Sequence, residues 1–276
     1  TVLASDDPAF TLTDYCFNGP NGATGIATAG GTFSFDPDLG DGSSVDASTG
    51  EITAGLSGQT YTLEYLTSGV CPDSSTQTVT VLPIDDPSFS YSSLTFCVSG
   101  GNQLPTTIFT PGGTFSGSAG LSINPVTGEI DVSTTGLGPF DVTYTTSGVC
   151  LDSSTIAIDI TASPDATFDY ASTPYCQTGI ASVTFGAGAS GGVFSEATGD
   201  LVINTSTGEV DLAASLPGTY TVLNDIAAAG GCAAASSSAS IEILSIDDPA
   251  FTLTDYCFNG PNGATGIATA GGTFSF

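Results

Sequence analysis

The chain of 276 residues has no Lys, Arg, His, Met or Trp, and 28 Asp and Glu residues leave a formal charge of -28. Without cationic side chains it cannot displace counterions from nucleic acid, an anionic membrane repels it, and neither salt bridges nor lysine isopeptide links can form. The carboxylates must face water, accept hydrogen bonds or meet free cations, while 40% hydrophobic residues take the chain out of the disordered class. No stretch of eighteen apolar residues predicts a membrane span.

Internal repetition is the dominant signal. Residues 1–5, TVLAS, resemble the later module ends TVLPI, DITAS and EILSI, and read as the close of a preceding module. Modules of about 80 residues then follow at 6–84, 85–163 and 164–246, each opening on an Asp-Pro or Pro-Asp pair. Residues 247–276 begin a fourth and repeat 6–35 letter for letter. Three phrases recur in fixed order: GGTFS at 30–34 and 112–116 with GGVFS at 191–195; STGEI, VTGEI and STGEV at 48–52, 126–130 and 206–210; SGVC at 68–71 and 147–150 with AGGC at 229–232. Both ends are expected to be cuts through a longer tandem array. A subunit that borrows strands to complete its last module is the weaker idea, because residues 1–5 cannot replace the counterpart of 36–84.

Along the first module, strands are expected around Phe10, around Ile26, at 32–35, around Val45, at 51–54, at 61–67 and at 76–82. In YTLEYLT, Tyr61, Leu63 and Tyr65 face one way and Thr62, Glu64 and Leu66 the other, a period of two. The phrases starting at Phe140 and Tyr220 repeat the alternation. LSINPVTGEIDV at 121–132 reads as strand, tight turn, strand. No helical period appears. About seven short strands per module, punctuated by Gly and Pro, predict an all-β chain of tandem immunoglobulin-like β-sandwiches arranged end to end.

LSINPVTGEI at 121–130, followed by Pro139 and the VTYT of 142–145, resembles the tandem Ig-like and cadherin-like repeats of very large bacterial cell-surface proteins, especially those of gliding, filament-bearing Bacteroidetes. The resemblance covers all three modules. It implies export, surface display and an extended adhesive or structural fibre, and it implies no catalytic residues.

Each full module carries two cysteines, Cys16 and Cys71, Cys97 and Cys150, Cys176 and Cys232, separated by 53 to 56 residues, and Cys257 matches Cys16. Regular cysteines in a small all-β module predict disulfides and an oxidising compartment, extracellular at the cell surface or in a secreted fibre. Pairing within each module is the first expectation. Buried free thiols are one alternative. Topology supplies another: a loop after the first strand and a loop after the sixth sit at opposite poles, so that Cys16 would pair with Cys150 and Cys97 with Cys232 across the junctions.

LPIDDPSF and LSIDDPAF join modules through a few residues stiffened by proline, with no flexible linker. The pairs Asp6 and Asp7, Asp85 and Asp86, and Asp247 and Asp248 are candidate junction ligands for Ca²⁺, or simply turn formers ahead of proline. Asp36, Asp38 and Asp41 gather in one loop of the first module without the spacing of an EF-hand. Asn204 opens an Asn-Thr-Ser glycosylation sequon on the predicted turn, and the Ser- and Thr-rich loops at Asp73 and Asp152 suit O-linked sugar. An enzyme is not expected, since general acid–base and nucleophilic chemistry usually draw on His, Lys or a neighbouring cation. The expected function is a structural stalk or scaffold whose partners are other modules of the same chain and lateral copies of it. The alternative is an adhesin whose module loops bind carbohydrate or protein.

Overall fold

A computed structural model describes residues 2–253, 255, 260 and 263–275, so the expectation for Cys257 lies outside the described residues. All regular structure among them is β. Residues 6–84 form β1 (Tyr15–Cys16), β2 (Thr32–Phe35), β3 (Ser44–Val45), β4 (Ile52–Thr53), β5 (Thr60–Leu66) and β6 (Ser74–Leu82). The main sheet has the order β1-β6-β5-β2, while β3 and β4 pair separately. β5 is antiparallel to β2 and β6. β1 runs parallel to β6, with Tyr15 opposite Val81 and Cys16 opposite Leu82.

The plan recurs. Residues 85–163 form β7 (Phe89–Ser90), β8 (Thr95–Cys97), β9 (Thr107–Ile108), β10 (Thr114–Gly117), β11 (Gly138–Thr145) and β12 (Ser153–Thr161), with a main sheet β10-β11-β12-β8. Residues 164–246 form β13 (Phe168–Tyr170), β14 (Tyr175–Cys176), β15 (Ile180–Ala181), β16 (Val183–Phe185), β17 (Val193–Glu196), β18 (Val210–Asp211), β19 (Gly218–Ile226) and β20 (Ala235–Leu244). Their main sheet is β14-β20-β19-β17, with β13-β16 and β15-β18 as two-stranded companions. A last pair, β21 (Thr252–Leu253) and β22 (Ala264–Thr265), follows. By contacts the chain divides into two compact units: the residues up to Thr95 with Gly100–Ile160, and Phe96–Ser99 with the residues from Thr161 onward.

Tyr61, Leu63 and Tyr65 of β5 are buried as the alternation predicts, and they meet Phe10, Phe33 of β2, Ile52 of β4 and Val79 and Val81 of β6 in one core. Residues of both the main sheet and the β3–β4 pair share that core, which makes the module a small sandwich. The chain is therefore all-β, built of tandem immunoglobulin-like modules. The expected strands around Phe10 and Ile26 reduce to a single bridge, Thr11 with Thr24, and the hairpin at 121–132 to the bridge of Ile123 with Ile130. Six, six and eight strands replace the expected seven, and the parallel strand β1 was not foreseen.

The repeated phrases mark tertiary locks. The Phe of GGTFS packs on the aromatic core, Phe33 on Tyr65 and Phe115 on Tyr144, with ring centroids 4.5 Å apart in each pair. A Cβ on the second glycine of the phrase, Gly31 or Gly113, would overlap the carbonyl of Leu66 or Thr145 on the neighbouring strand. That glycine's N–H is claimed by the buried tyrosine. Gly31 N donates to Tyr65 Oη at 2.9 Å and Gly113 N to Tyr144 Oη at 2.8 Å, while the hydroxyls donate to Thr28 O at 2.7 Å and Thr110 O at 2.6 Å. In the third module Asn224 takes over. Its Oδ1 accepts from Gly192 N at 2.7 Å and its Nδ2 donates to Ala166 O and Ser190 O at 2.8 and 2.9 Å.

Truncating this hydroxyl while keeping the ring leaves a half-buried N–H and C=O without their partner. Tyr144→Phe is expected to lower stability by about 1–3 kcal/mol, read as a fall in the urea midpoint with the β-sheet circular dichroism at zero denaturant unchanged.

Candidate functional site at the module ends

The cysteines lie where chains enter and leave the modules. Cys16 closes β1 opposite Leu82, the last residue of β6, and Phe17 N donates to Leu82 O at 2.8 Å. It therefore sits at the end from which the chain leaves for Asp85. The loop cysteines sit at the other end. Asp85 N donates to Cys150 O at 3.0 Å and Asp6 N to Cys71 O at 2.9 Å, so each loop is laced to the first residue of its own module. The glycine of SGVC is required there, because a Cβ at Gly69 or Gly148 would overlap the carboxylate of Asp6 or Asp85. Gly148 N also donates to Asp85 Oδ2 at 3.0 Å, whereas the buried Asp6 Oδ2 has no hydrogen-bond partner.

This placement overturns the first expectation for the disulfides. Cys71 precedes Ser74 at one end of β6 and Cys16 lies beside Leu82 at the other. Eight residues of strand separate those ends by roughly 25 Å, and a disulfide needs Cα atoms within about 7 Å. The bonds run instead between successive modules: Cys16–Cys150 with Cα atoms 5.4 Å apart, and Cys97–Cys232 with Cα atoms 4.7 Å apart. The second bond is internal to the second compact unit, which takes in Phe96–Ser99. Thr161 Oγ1 there donates to Gly230 O, and Val98 N to Thr161 O at 2.9 Å. Cys71 and Cys176, expected as partners of Cys16 and Cys232, are free thiols in this chain, the first half-buried and the second exposed.

The acidic residues mostly hold turns. Asp7 Oδ1 accepts from Ala9 N at 3.0 Å, Asp86 Oδ1 from Ser88 N at 2.9 Å, Asp165 Oδ1 from Thr167 N at 2.9 Å and Asp248 Oδ1 from Ala250 N at 2.8 Å. Hydrogen bonds from Ser88 hold the Asp86 carboxyl below its ordinary range, and those from Thr167 do the same for Asp165. Asp247 is exposed. In the 36–42 loop, Asp38 Oδ1 accepts from Gly40 N at 3.0 Å, while Asp41 takes Ser43 N at 2.9 Å and the Tyr61 hydroxyl at 2.7 Å. Among the described residues, no group of three or more His, Cys, Asp or Glu stands where it could hold a metal ion. The side chains considered for calcium at Asp85, Asp86, Asp247 and Asp248 thus include a loop latch and two turn caps.

The STGEI turns follow the same logic. Asp46, Asn124 and Asn204 each offer Oδ1 to two following N–H groups, at 2.8 and 2.9 Å for Asp46 and at 2.9 and 3.2 Å for each Asn. Gly50, Gly128 and Gly208 close the turns at φ of 68 to 73°. Asn204 is exposed on its turn, as a sequon requires. Beside the second and third of these turns lie equivalent shallow clefts, one lined by Asn124, Glu129 and Asp131, the other by Asn204, Glu209 and Asp211.

No helix among the described residues is long and apolar enough to cross a membrane. No family model matches the chain, and no curated protein matches it. Among solved structures, the chain is similar to extracellular cadherin domains 3–6 of protocadherin gamma B2, at 15% identity over 90% of this chain and 75% of that one, with a TM-score of 0.31. It is also similar to domains 22–24 of mouse cadherin-23, at 12% identity over 85% and 96% with a TM-score of 0.30. For domains 1–4 of Drosophila N-cadherin the figures are 10% identity, 86% and 74%, and 0.28.

Two outcomes follow from this geometry. Digestion without reduction, by an acid-directed protease because trypsin has no Lys or Arg to cut, should link the Cys16 and Cys150 peptides and the Cys97 and Cys232 peptides, with Cys71 and Cys176 alkylated. The second concerns pH. Hydrogen bonds from Ser48, and then from Thr49, lower the Asp46 pKa from 3.8 to about 2. A carboxyl lowered on folding stabilises above its unfolded pKa, and that contribution disappears as pH falls through the folded value. Asp46→Asn keeps the acceptor in the form that Asn124 and Asn204 already use, so its urea midpoint should fall less than that of the parent chain between pH 4 and pH about 2.

Proposed function

We propose that the chain is a structural stretch of an extracellular fibre on a bacterial surface, in which serial modules act as stalk or scaffold and repetition sets length. The observation that carries this reading is the Cys16–Cys150 bond, a covalent tie between consecutive modules beside a junction of few residues. Disulfides belong to oxidising, exported settings. A tie at a junction restricts bending, which matters to a fibre and little to an enzyme. The modules at 6–84, 85–163 and 164–246 are then successive beads, and residues 247–276, which repeat 6–35, belong to a bead of the first kind. Glycan on the exposed Asn204, and on the outward Ser of strands such as β20, would add the polar coat that a weakly charged surface needs. Lateral copies of the chain are the expected partners.

The recurrent clefts at Asn124, Glu129 and Asp131 and at Asn204, Glu209 and Asp211 favour one second reading, an adhesin whose modules each hold a weak carbohydrate or protein site. Electron microscopy of native material separates the two. The fibre reading expects beaded filaments with an axial period of one or three modules, with or without calcium. Globules lacking periodicity, together with ligand capture on a glycan array, would overturn it.

A further inference from the structure

Cys71 and Cys176 occupy places that are filled elsewhere in the chain. Cys71 stands as Cys150 does: it ends an SGVC loop and its carbonyl accepts from the first residue of its module, Asp6, at 2.9 Å, against 3.0 Å for Asp85 and Cys150. Cys176 stands as Cys16 does: it closes a two-residue strand parallel to the last strand of its module, opposite Leu244 as Cys16 is opposite Leu82. The backbone contact after each is also shared, Gln177 N to Leu244 O at 2.9 Å and Phe17 N to Leu82 O at 2.8 Å. In both positions the repeat-equivalent cysteines are bonded, Cys150 and Cys232 on the loop side, Cys16 and Cys97 on the strand side. Neither free thiol is buried.

Their complementarity defines what each takes. Cys176 calls for a loop cysteine on a module that follows, and Cys71 for a strand cysteine on a module that precedes. The sequence that follows β20 settles the kind of module. Residues 247–276 are residues 6–35 over again, so the position after the third module is written for a copy of the first, whose loop cysteine is Cys71.

We infer that Cys176 is a half-cystine whose partner is the loop cysteine of a copy of the first module, the counterpart of Cys71. This rests on the serial-module reading above. Bond formation removes one hydrogen from each thiol, and the two electrons and two protons pass to glutathione disulfide, which leaves as two molecules of glutathione through a mixed disulfide.

The test extends the full chain by a second copy of residues 36–84 after Phe276, which completes a fourth module of the first kind, and refolds it in a glutathione redox buffer. Cys176 is expected to fall from full alkylation in the unextended chain to background in the extended one. A disulfide-linked peptide pair should join Cys176 to the added loop cysteine, and Cys176→Ser should return that added cysteine to full alkylation. Cys176 still alkylated beside intact Cys16–Cys150 and Cys97–Cys232 bonds overturns the inference and leaves the fibre reading standing, because that reading rests on the bonds already formed. Pairing of Cys176 with Cys257 also overturns it, and scrambled pairing of Cys16 or Cys97 overturns both.

Discussion

A strand of two residues decides where this chain can be cross-linked. β1 is held parallel to the final residues of β6, with Tyr15 buried and Cys16 left at the margin where the chain departs. Had the strand paired further back along β6, its cysteine would have lain in the middle of a sheet edge with no loop thiol in reach. Parallel pairing at the very end of β6 instead carries the sulfur out to the junction, and the loop latched by Asp85 carries Cys150 to the same place. Bond, latch and glycine are one device. Gly148 lets the loop close over the Asp85 carboxylate, the closed loop fixes Cys150, and the fixed thiol meets Cys16.

The absence of cationic side chains shapes everything else. With no ion pairs available, buried polar groups can be matched only by neutral partners: a tyrosine hydroxyl in two modules and an asparagine amide in the third satisfy the same glycine N–H, while Asp6 Oδ2 and Tyr15 Oη stay without a hydrogen-bond partner. The two solutions differ in chemistry and agree in position, which shows that the lock selects for an acceptor at that point rather than for an aromatic ring. Carboxylates, for their part, serve mainly as acceptors for N–H groups a few residues along the chain, which fixes the turns without any counter-ion.

The long strands were legible because their side chains alternate over seven or more residues: Tyr61, Leu63 and Tyr65 could be placed on the core from the letters alone. β1 was not, since two residues have no period. A signal for it does exist in the repeated aromatic–Cys pair, Tyr15–Cys16, Phe96–Cys97 and Tyr175–Cys176, which marks a fixed position without revealing its strand neighbour. The even spacing of cysteines within a module suggested bonds within a module, because sequence distance carries no information about which pole a loop occupies. Poles are a property of topology, and loops placed at opposite poles pair Cys16 with Cys150 and Cys97 with Cys232. The Tyr65 and Asn224 locks were out of reach for a similar reason: their partners lie more than thirty residues away.

The two bonds also overlap. The loop closed by Cys16–Cys150 and the loop closed by Cys97–Cys232 share residues 97–150, so the second module lies largely inside both. Closing loops of 134 and 135 residues restricts the unfolded chain by about 5 kcal/mol each in the chain-entropy model, but overlap does more than add two such restrictions. If the second module unfolds, the stretch 97–150 stays tethered at one end through Cys97 to the third module and at the other through Cys150 to the first. The length it can release between its neighbours is then the contour of 97–150 rather than that of the whole module. Within-module bonds of the same number would protect each bead alone and leave every junction free to open. Interleaved bonds transfer a local failure to the neighbours on either side, which is the behaviour a serial chain needs if it is to bear load through its weakest bead.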